Sequence, residues 1–337
     1  MPGSGDAPRR PVTVVSVPPA LRAQFFPAEV GVRLAEVADC VLVDDHAAAA
    51  QWLPRAEVLV TAWGFPRLDA GLLDLAPRLR LVAHTGASVK PFVTGGVFDR
   101  GIAVTQAGQG MARSVAEVAL AFTLALLHRL PRFDHALHAG TAWDAAEQAP
   151  PRDEILGCPV GVVAASRTGR AYVSLVRALG AEVTLADPTL SVSEAAALGV
   201  RLAGLDEVLA GSRIVALHAP VLPETRHLLG ARELALLPDG AGLVNTARSW
   251  LVDEAALVAE LSTGRIDAAL DVFDDEPLPT GHPLRALPNV LLTPHQAAGT
   301  VQGRRRQGAI VVEEITRYAA GRPLAHAVTR QLLTRMG

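Results

Sequence analysis

Short apolar, β-branched runs punctuate the chain, each closed by Gly, Pro, Asp or another polar residue and followed by stretches with helical spacing of apolar positions. A first series comprises VTVVSV (Val12–Val17), CVLV (Cys40–Val43), VLVT (Val58–Thr61), LVAH (Leu81–His84) and AVT (Ala103–Thr105). A second comprises PVGVVA (Pro159–Ala164), EVTLA (Glu182–Ala186), RIVALH (Arg213–His218), GLVNT (Gly242–Thr246), DAAL (Asp267–Leu270) and VLLT (Val290–Thr293). The runs are continuous rather than alternating, the mark of strands covered on both faces and hence of parallel sheets with crossover helices. Each series is long enough for its own sheet, so the expected class is α/β with doubly wound parallel sheets.

Between the two series a helix is expected over Arg113–His128. It is apolar around most of its surface, so it needs cover on several sides, as at a domain hinge or subunit interface. A last helix is expected over about Val301–Ala320, following the final strand and returning to the first domain. At 337 residues the chain more naturally holds two domains than one.

Composition narrows the chemistry. The formal net charge of −3 gives no footprint for nucleic acid or anionic membrane. Arg304–Arg306 has no interleaved aromatic residues and reads as a solvated helix face. Lys90 is the only lysine and lies in neither a Schiff-base nor a P-loop setting. Cys40 and Cys158 are too few for a disulfide framework or a cysteine zinc site, and no metal is expected. The start, MPGSGDAPRRP, lacks the apolar core of a signal peptide, and Val115–Leu130 is broken by Glu117 and His128. These features predict a soluble, cytoplasmic protein.

GVVAASRTGRAYVSLVRALGAEVTLADP has the layout strand, tight turn, helix, strand, terminal acid. A dinucleotide fingerprint places glycines at three turn positions, which here hold Ala164, Ser166 and Gly169. Only the last is glycine, so the motif by itself is weak. Asp187 at the end of the following strand can hydrogen-bond the ribose hydroxyls of NAD, and its charge would repel the extra phosphate of NADP. Ser166 and Arg167 are candidates for the pyrophosphate. The alternative is a structural turn that binds nothing.

Arg248, Glu276 and His295 each follow a strand-like run in the C-terminal half, within VNTARSW, DVFDDEPLP and LLTPHQAAG. Residues at the carboxyl ends of parallel strands face the crevice where such sheets bind ligands. The three supply an anion clamp, a carboxylate and a proton carrier, a set suited to acid/base chemistry on a small carboxylate. Taken singly, each has a structural alternative: a hydrogen-bonded core histidine, a capping arginine, a loop carboxylate.

At LDEVLAGSRIVALHAPVLPETRHLLG, VNTAR, LVDEAAL, ALDVFDDEPLP and LPNVLLTPHQAAGT the chain closely resembles the D-isomer-specific 2-hydroxyacid dehydrogenases. The resemblance implies two flavodoxin/Rossmann-like domains. Residues 1–112 and a returning segment, 299–337, would form a substrate domain, with an NAD-binding domain, 113–298, inserted between them. It further implies a homodimer formed largely through the nucleotide domain. Arg248 would bind the substrate carboxylate, His295 would be the acid/base and Glu276 its partner, orienting the ring and complementing its charge. Asp271 would hold the nicotinamide carboxamide, and backbone amides of Gly86, Ala87 and Ser88 would receive the carboxylate. Ser166, Arg167, Thr168, Gly169, Asp187, Pro220, Thr225, Thr246, Ala247 and His295 complete the cofactor-facing set. The implied reaction interconverts a small 2-keto acid and its D-2-hydroxy acid with NAD(H).

Three departures qualify the resemblance. The fingerprint has lost two glycines. Ser249–Trp250 stands where Gly-Gly commonly follows the arginine, leaving Trp250 either to pack or to line the pocket. The substrate loop, HTGASVKPFV, differs from its commoner form, and no named substrate transfers with it. The regulatory C-terminal domain of long phosphoglycerate dehydrogenases is not expected. Rival readings are a phosphite dehydrogenase on the same scaffold, a corepressor-like NAD sensor, and a protein that no longer binds cofactor. His84, near the substrate loop, reads as structural.

Overall fold

The computed structural model describes residues 9–148, 150–334 and 336; most of the N-terminal segment discussed above, Met1–Pro8, lies outside them. The chain divides into two compact units, residues 1–111 with 299–337 and residues 112–298.

Unit 1 is built on a parallel sheet of five strands, β1 (Val12–Ser16), β2 (Asp39–Val43), β3 (Val58–Thr61), β4 (Leu81–His84) and β5 (Ala103–Gln106), in the order β2-β1-β3-β4-β5. Both faces are covered, which is why the runs lack alternation. Leu59 and Val82 join one core with Val14 and Val104, while Val58, Val60, Leu81 and Ala83 join the other. The helix Val301–Ala319 covers that second face with Val311, Val312 and Ile315, packing against the helices Pro19–Phe25 and Ala28–Val37. Thr300 caps it, its side chain accepting from Gly303 N–H at 3.0 Å.

Unit 2 holds seven parallel strands, β6 (Pro159–Val163), β7 (Glu182–Ala186), β8 (Arg201–Leu202), β9 (Ile214–Leu217), β10 (Gly242–Asn245), β11 (Asp267–Leu270) and β12 (Val290–Leu292), in the order β12-β11-β10-β9-β6-β7-β8. β8 was not foreseen: a two-residue strand at the sheet edge carries no apolar run to read. The helix Ala112–Leu127 buries Ala116, Ala119, Phe122 and Leu126 against this sheet and the helix Arg167–Ala178. Much of the cover its apolar surface demanded is thus found inside unit 2. Just beyond it, Arg129, 2% exposed, pairs with equally buried Asp267 at 2.5 Å, and Arg132 reaches the other carboxylate oxygen. Removing one member of such a buried set strands the others.

Arg304–Arg306 is only in part the solvated face expected of it: Arg305 and Arg306 are exposed, and Arg304 is not. Arg305 is exposed and pairs with Glu29, and Arg306 donates to the Gly110 carbonyl at 3.0 Å. Arg304, however, lies over the rings of Phe25 and Trp63. The reason is helical spacing: Arg304 shares a stripe with Gly308, Val311 and Ile315, the side of the helix that turns inward. Among the described residues no single helix is long and apolar enough to cross a membrane, and no group of three or more His, Cys, Asp or Glu could hold a metal ion.

Candidate functional site

In unit 2 the loops after β10, β11 and β12 carry Arg248, Glu276 and His295. His295 follows Thr293 and Pro294 with a left-handed backbone, φ +52°. Its Nδ1 lies 2.7 Å from Glu276 Oε2. A carboxylate can only accept, so Nδ1 donates and Nε2 is left as the working nitrogen. Glu276 is itself steadied, since its Oε1 accepts from Phe273 N–H at 3.1 Å. A cavity of about 550 Å³ opens beside the pair, lined by Phe273, Leu278, Leu292 and Thr293 with His295 at its wall.

Arg248 is half-buried, and its Nη1 donates to the Ala247 carbonyl at 2.6 Å. Burial pushes its pKa down, and the Glu276 carboxylate opposes that shift, so the two charges act on one another. The backbone bearing Arg248 is held by Asn245, 2% exposed, whose side chain accepts from Ala247 N–H and donates to the Arg248 carbonyl, each at 3.0 Å. Asn245 escaped the sequence reading. Its signal was an amide side chain ending a strand just before a polar turn, where Asn commonly bonds the backbone two or three residues on.

Asp271, 1% exposed, takes bonds from within the protein. Its oxygens accept from Thr293 Oγ1, from Gln296 N–H at 2.9 Å and from Ala297 N–H at 2.9 Å. The carboxylate therefore clamps the chain on either side of His295 and fixes where the imidazole stands. Thr293 is a second residue the sequence reading passed over.

At the β6–helix turn one of the two positions that lack the fingerprint glycine keeps a glycine-like backbone. Ala164 adopts φ +72°, the left-handed conformation usual for glycine. Gly169 has no substitute, because a Cβ there would come within 2.3 Å of the Ala164 carbonyl oxygen. Ser166 caps the helix by accepting from Gly169 N–H at 3.2 Å, leaving its O–H free to donate. Arg167 and Thr168 fill the first turn, and burial lowers the Arg167 pKa. Asp187, after β7, takes Ala165 N–H on one oxygen and Thr189 N–H and Oγ1–H on the other, at 2.7–2.8 Å. Burial raises its pKa, but these hydrogen bonds outweigh that effect and hold it below the ordinary carboxylate range.

Beyond β9, Thr225 Oγ1 donates to the Pro220 carbonyl at 2.7 Å and accepts from Leu222 N–H. Trp250 resolves toward packing: its Nε1–H donates to the Leu222 carbonyl at 3.0 Å, and Arg226 stacks over its ring at 5.1 Å. Thr246 is buried, and its hydroxyl has no hydrogen-bond partner among the described residues.

In unit 1 the loop Gly86–Ser88 leaves β4 at its carboxyl end. Thr85 N–H donates to the Thr61 carbonyl, and the Gly86 carbonyl accepts from Ala107 N–H at 2.8 Å. Among the described residues, the N–H groups of Ala87 and Ser88 have no partner.

Residues 120–297 match the family model described as "D-isomer specific 2-hydroxyacid dehydrogenase, NAD binding domain". The chain belongs to the D-isomer-specific 2-hydroxyacid dehydrogenase family. A D-3-phosphoglycerate dehydrogenase of Mycobacterium bovis is 36% identical over 277 residues, 82% of this chain and 52% of that protein. The chain thus spans about half the length of the phosphoglycerate dehydrogenases it matches. A glyoxylate reductase of Aeropyrum pernix is 34% identical over 79% of this chain and 81% of its own. Among solved structures, a Thermus thermophilus protein superposes with TM-score 0.78 at 30% identity, covering 94% of this chain and 100% of its own. A phosphoglycerate oxidoreductase from Rhizobium etli gives TM-score 0.79 at 28% identity, covering 96% and 99%.

Proposed function

We propose that this family member is an NAD-dependent oxidoreductase interconverting a small 2-keto acid and its D-2-hydroxy acid. The observation that carries the reading is the His295–Glu276 pair, 2.7 Å apart with Nε2 left free, on a strand end beside a cavity. Such a pair suits a general acid that must hold one proton at one nitrogen.

The fit to a dinucleotide rests on the turn. Ala164 keeps its left-handed backbone, Gly169 its close approach, and Asp187 presents an ionised carboxylate after the second strand. Ser166, Arg167, Thr168 and Gly169 would hold the pyrophosphate and Asp187 the ribose. Pro220, Thr225, Thr246, Ala247 and Asp271 would flank the rest of the cofactor. Bound NADH supplies the hydride for C2 of the keto acid. Protonated His295 hydrogen-bonds the carbonyl oxygen through Nε2–H and gives up that proton as charge develops on the oxygen. Glu276 steadies the ring in the tautomer this requires. Arg248 binds the C1 carboxylate with its planar fork and polarises the neighbouring carbonyl. Within unit 1, the free amides of Ala87 and Ser88, with Gly86, offer donors suited to a carboxylate.

The working form is read as a cytoplasmic homodimer. Leu130, Leu137 and Trp143, on two successive helices of unit 2, expose 54%, 48% and 68% of their surface, large apolar side chains suited to self-association. Light scattering on the purified protein tests that assembly.

The decisive assay offers glyoxylate, hydroxypyruvate, pyruvate and phenylpyruvate with NADH, and phosphite with NAD⁺. Oxidation of NADH by at least one keto acid is expected. Phosphite oxidation without keto-acid reduction, or no NADH binding by fluorescence titration, would overturn the reading.

A further inference from the structure

Unit 1 holds a positive charge that the proposed reaction leaves unused. The Arg304 guanidinium carbon lies 4.6 Å from the Trp63 ring centre and 5.2 Å from that of Phe25. Ring faces attract the cation but accept no conventional hydrogen bond from it. Its Nε and Nη1 are buried without a hydrogen-bond partner, and among the described residues no Asp or Glu forms an ion pair with it. Buried donors left unmade cost free energy, so an acceptor brought to them gains more than at an exposed arginine.

Its location gives the charge a use. Trp63 follows β3 and touches Gly86: a Cβ built on Gly86 would lie 3.2 Å from Trp63 Cε2 and 2.6 Å from His84 Nε2. His84 Nε2 is a further buried atom without a partner, on a side chain only 1% exposed whose Nδ1 is engaged by Thr61 Oγ1 at 3.0 Å. These groups cluster beyond the carboxyl ends of β3 and β4, where a parallel sheet receives ligands. Trp63 touches both Gly86 and Arg304, so the charge lies beside the carboxylate loop without belonging to it.

We propose that Arg304, backed by Trp63, is a specificity-determining residue that binds an oxyanion on the side chain of the substrate. The preferred 2-keto acids then carry a second negative group, a carboxylate or a phosphate. This rests on the reading of the protein as a 2-keto-acid reductase.

The test compares wild type, Arg304→Gln and Arg304→Lys with NADH on pyruvate and glyoxylate and on oxaloacetate, 2-oxoglutarate and 3-phosphohydroxypyruvate. Wild type should show a lower KM for at least one doubly charged acid. Arg304→Gln should raise that KM about 10–100-fold more than it raises the KM for pyruvate, the scale of a charge-assisted hydrogen bond. Arg304→Lys should recover part of the difference. The carboxylate and phosphate substrates decide which oxyanion is read. An equal rise for every acid places Arg304 on the common carboxylate and overturns the proposal. A binding arm keeps the two readings apart: D-lactate, D-malate, D-2-hydroxyglutarate and 3-phospho-D-glycerate are titrated calorimetrically in the presence of NADH. No wild-type preference for the doubly charged acids, or a preference kept by Arg304→Gln, overturns the proposal whether or not any keto acid is reduced. A preference intact without turnover of any keto acid overturns the reductase reading alone.

Discussion

At the scale of single residues, the free nitrogen of His295 is defined by what its neighbours have already taken. Glu276 fixes Nδ1 and Asp271 fixes the surrounding backbone, so Nε2 is the only ring atom left for chemistry. His295→Ala should therefore lower kcat about 10²–10⁴-fold, the usual scale for a positioned acid/base, while NADH still binds. Unchanged turnover would end the assignment. Arg248→Lys replaces a planar fork by a point charge, so its main effect should be a higher KM for keto acids, measured by steady-state kinetics. An unaltered KM would remove the clamp role. The spacing of Arg248, Glu276 and His295 was legible because each follows a recognisable strand run. Asn245 left only the local signal of an amide before a polar turn, and Thr293 left none, because its partner, the Asp271 side chain, is brought near only by the fold. Arg304 was hidden by its two exposed neighbours, although its helical register with Val311 and Ile315 pointed inward.

At the scale of elements, β3, β4, β7 and β11 lie where their apolar runs ended, since strands buried on both faces leave an unbroken signature. The edge strand β8 left none. The fingerprint turn shows why a motif can be degraded in letters yet kept in shape. Ala164 holds φ +72°, where a Cβ costs on the order of 1–2 kcal/mol. Replacing it by glycine relieves that strain but adds about 0.5–1 kcal/mol of chain entropy to be lost on folding. Ala164→Gly should thus stay within about 1 kcal/mol of wild type. Gly169→Ala meets backbone rather than a yielding side chain and should cost roughly 1–3 kcal/mol, with weaker NADH binding. Denaturant melts and fluorescence titration of both variants check this asymmetry. Equal behaviour would show that the turn does not discriminate between the two positions.

At the scale of the whole molecule, each unit buries, among the described residues, one histidine that its fold holds neutral. Burial pushes His84 in unit 1 and His218 in unit 2 down to about 3, a pull that the Thr61 hydrogen bond to His84 only partly opposes. In the unfolded chain both titrate near 6.5. Between those values the unfolded state binds the extra proton, so stability is complete above about pH 6.5 and falls as the solution is acidified toward the folded values. From pH 7 to pH 5 each histidine should remove about 2 kcal/mol, a figure set almost wholly by the unfolded pKa once the folded one lies far below 5. Asp187 does not enter in this window, because its depressed carboxyl acts only below the ordinary carboxylate range. Urea unfolding at pH 7, 6 and 5 should show the loss, and His84→Gln or His218→Gln should each flatten the slope by up to one proton per molecule. Their own cost at pH 7 does not confuse the reading, since the slope and not the height carries the proton count. A wild-type stability independent of pH across this range would mean that neither imidazole is held neutral, and His84 would then lose its standing as an uncharged neighbour of Gly86 and Trp63.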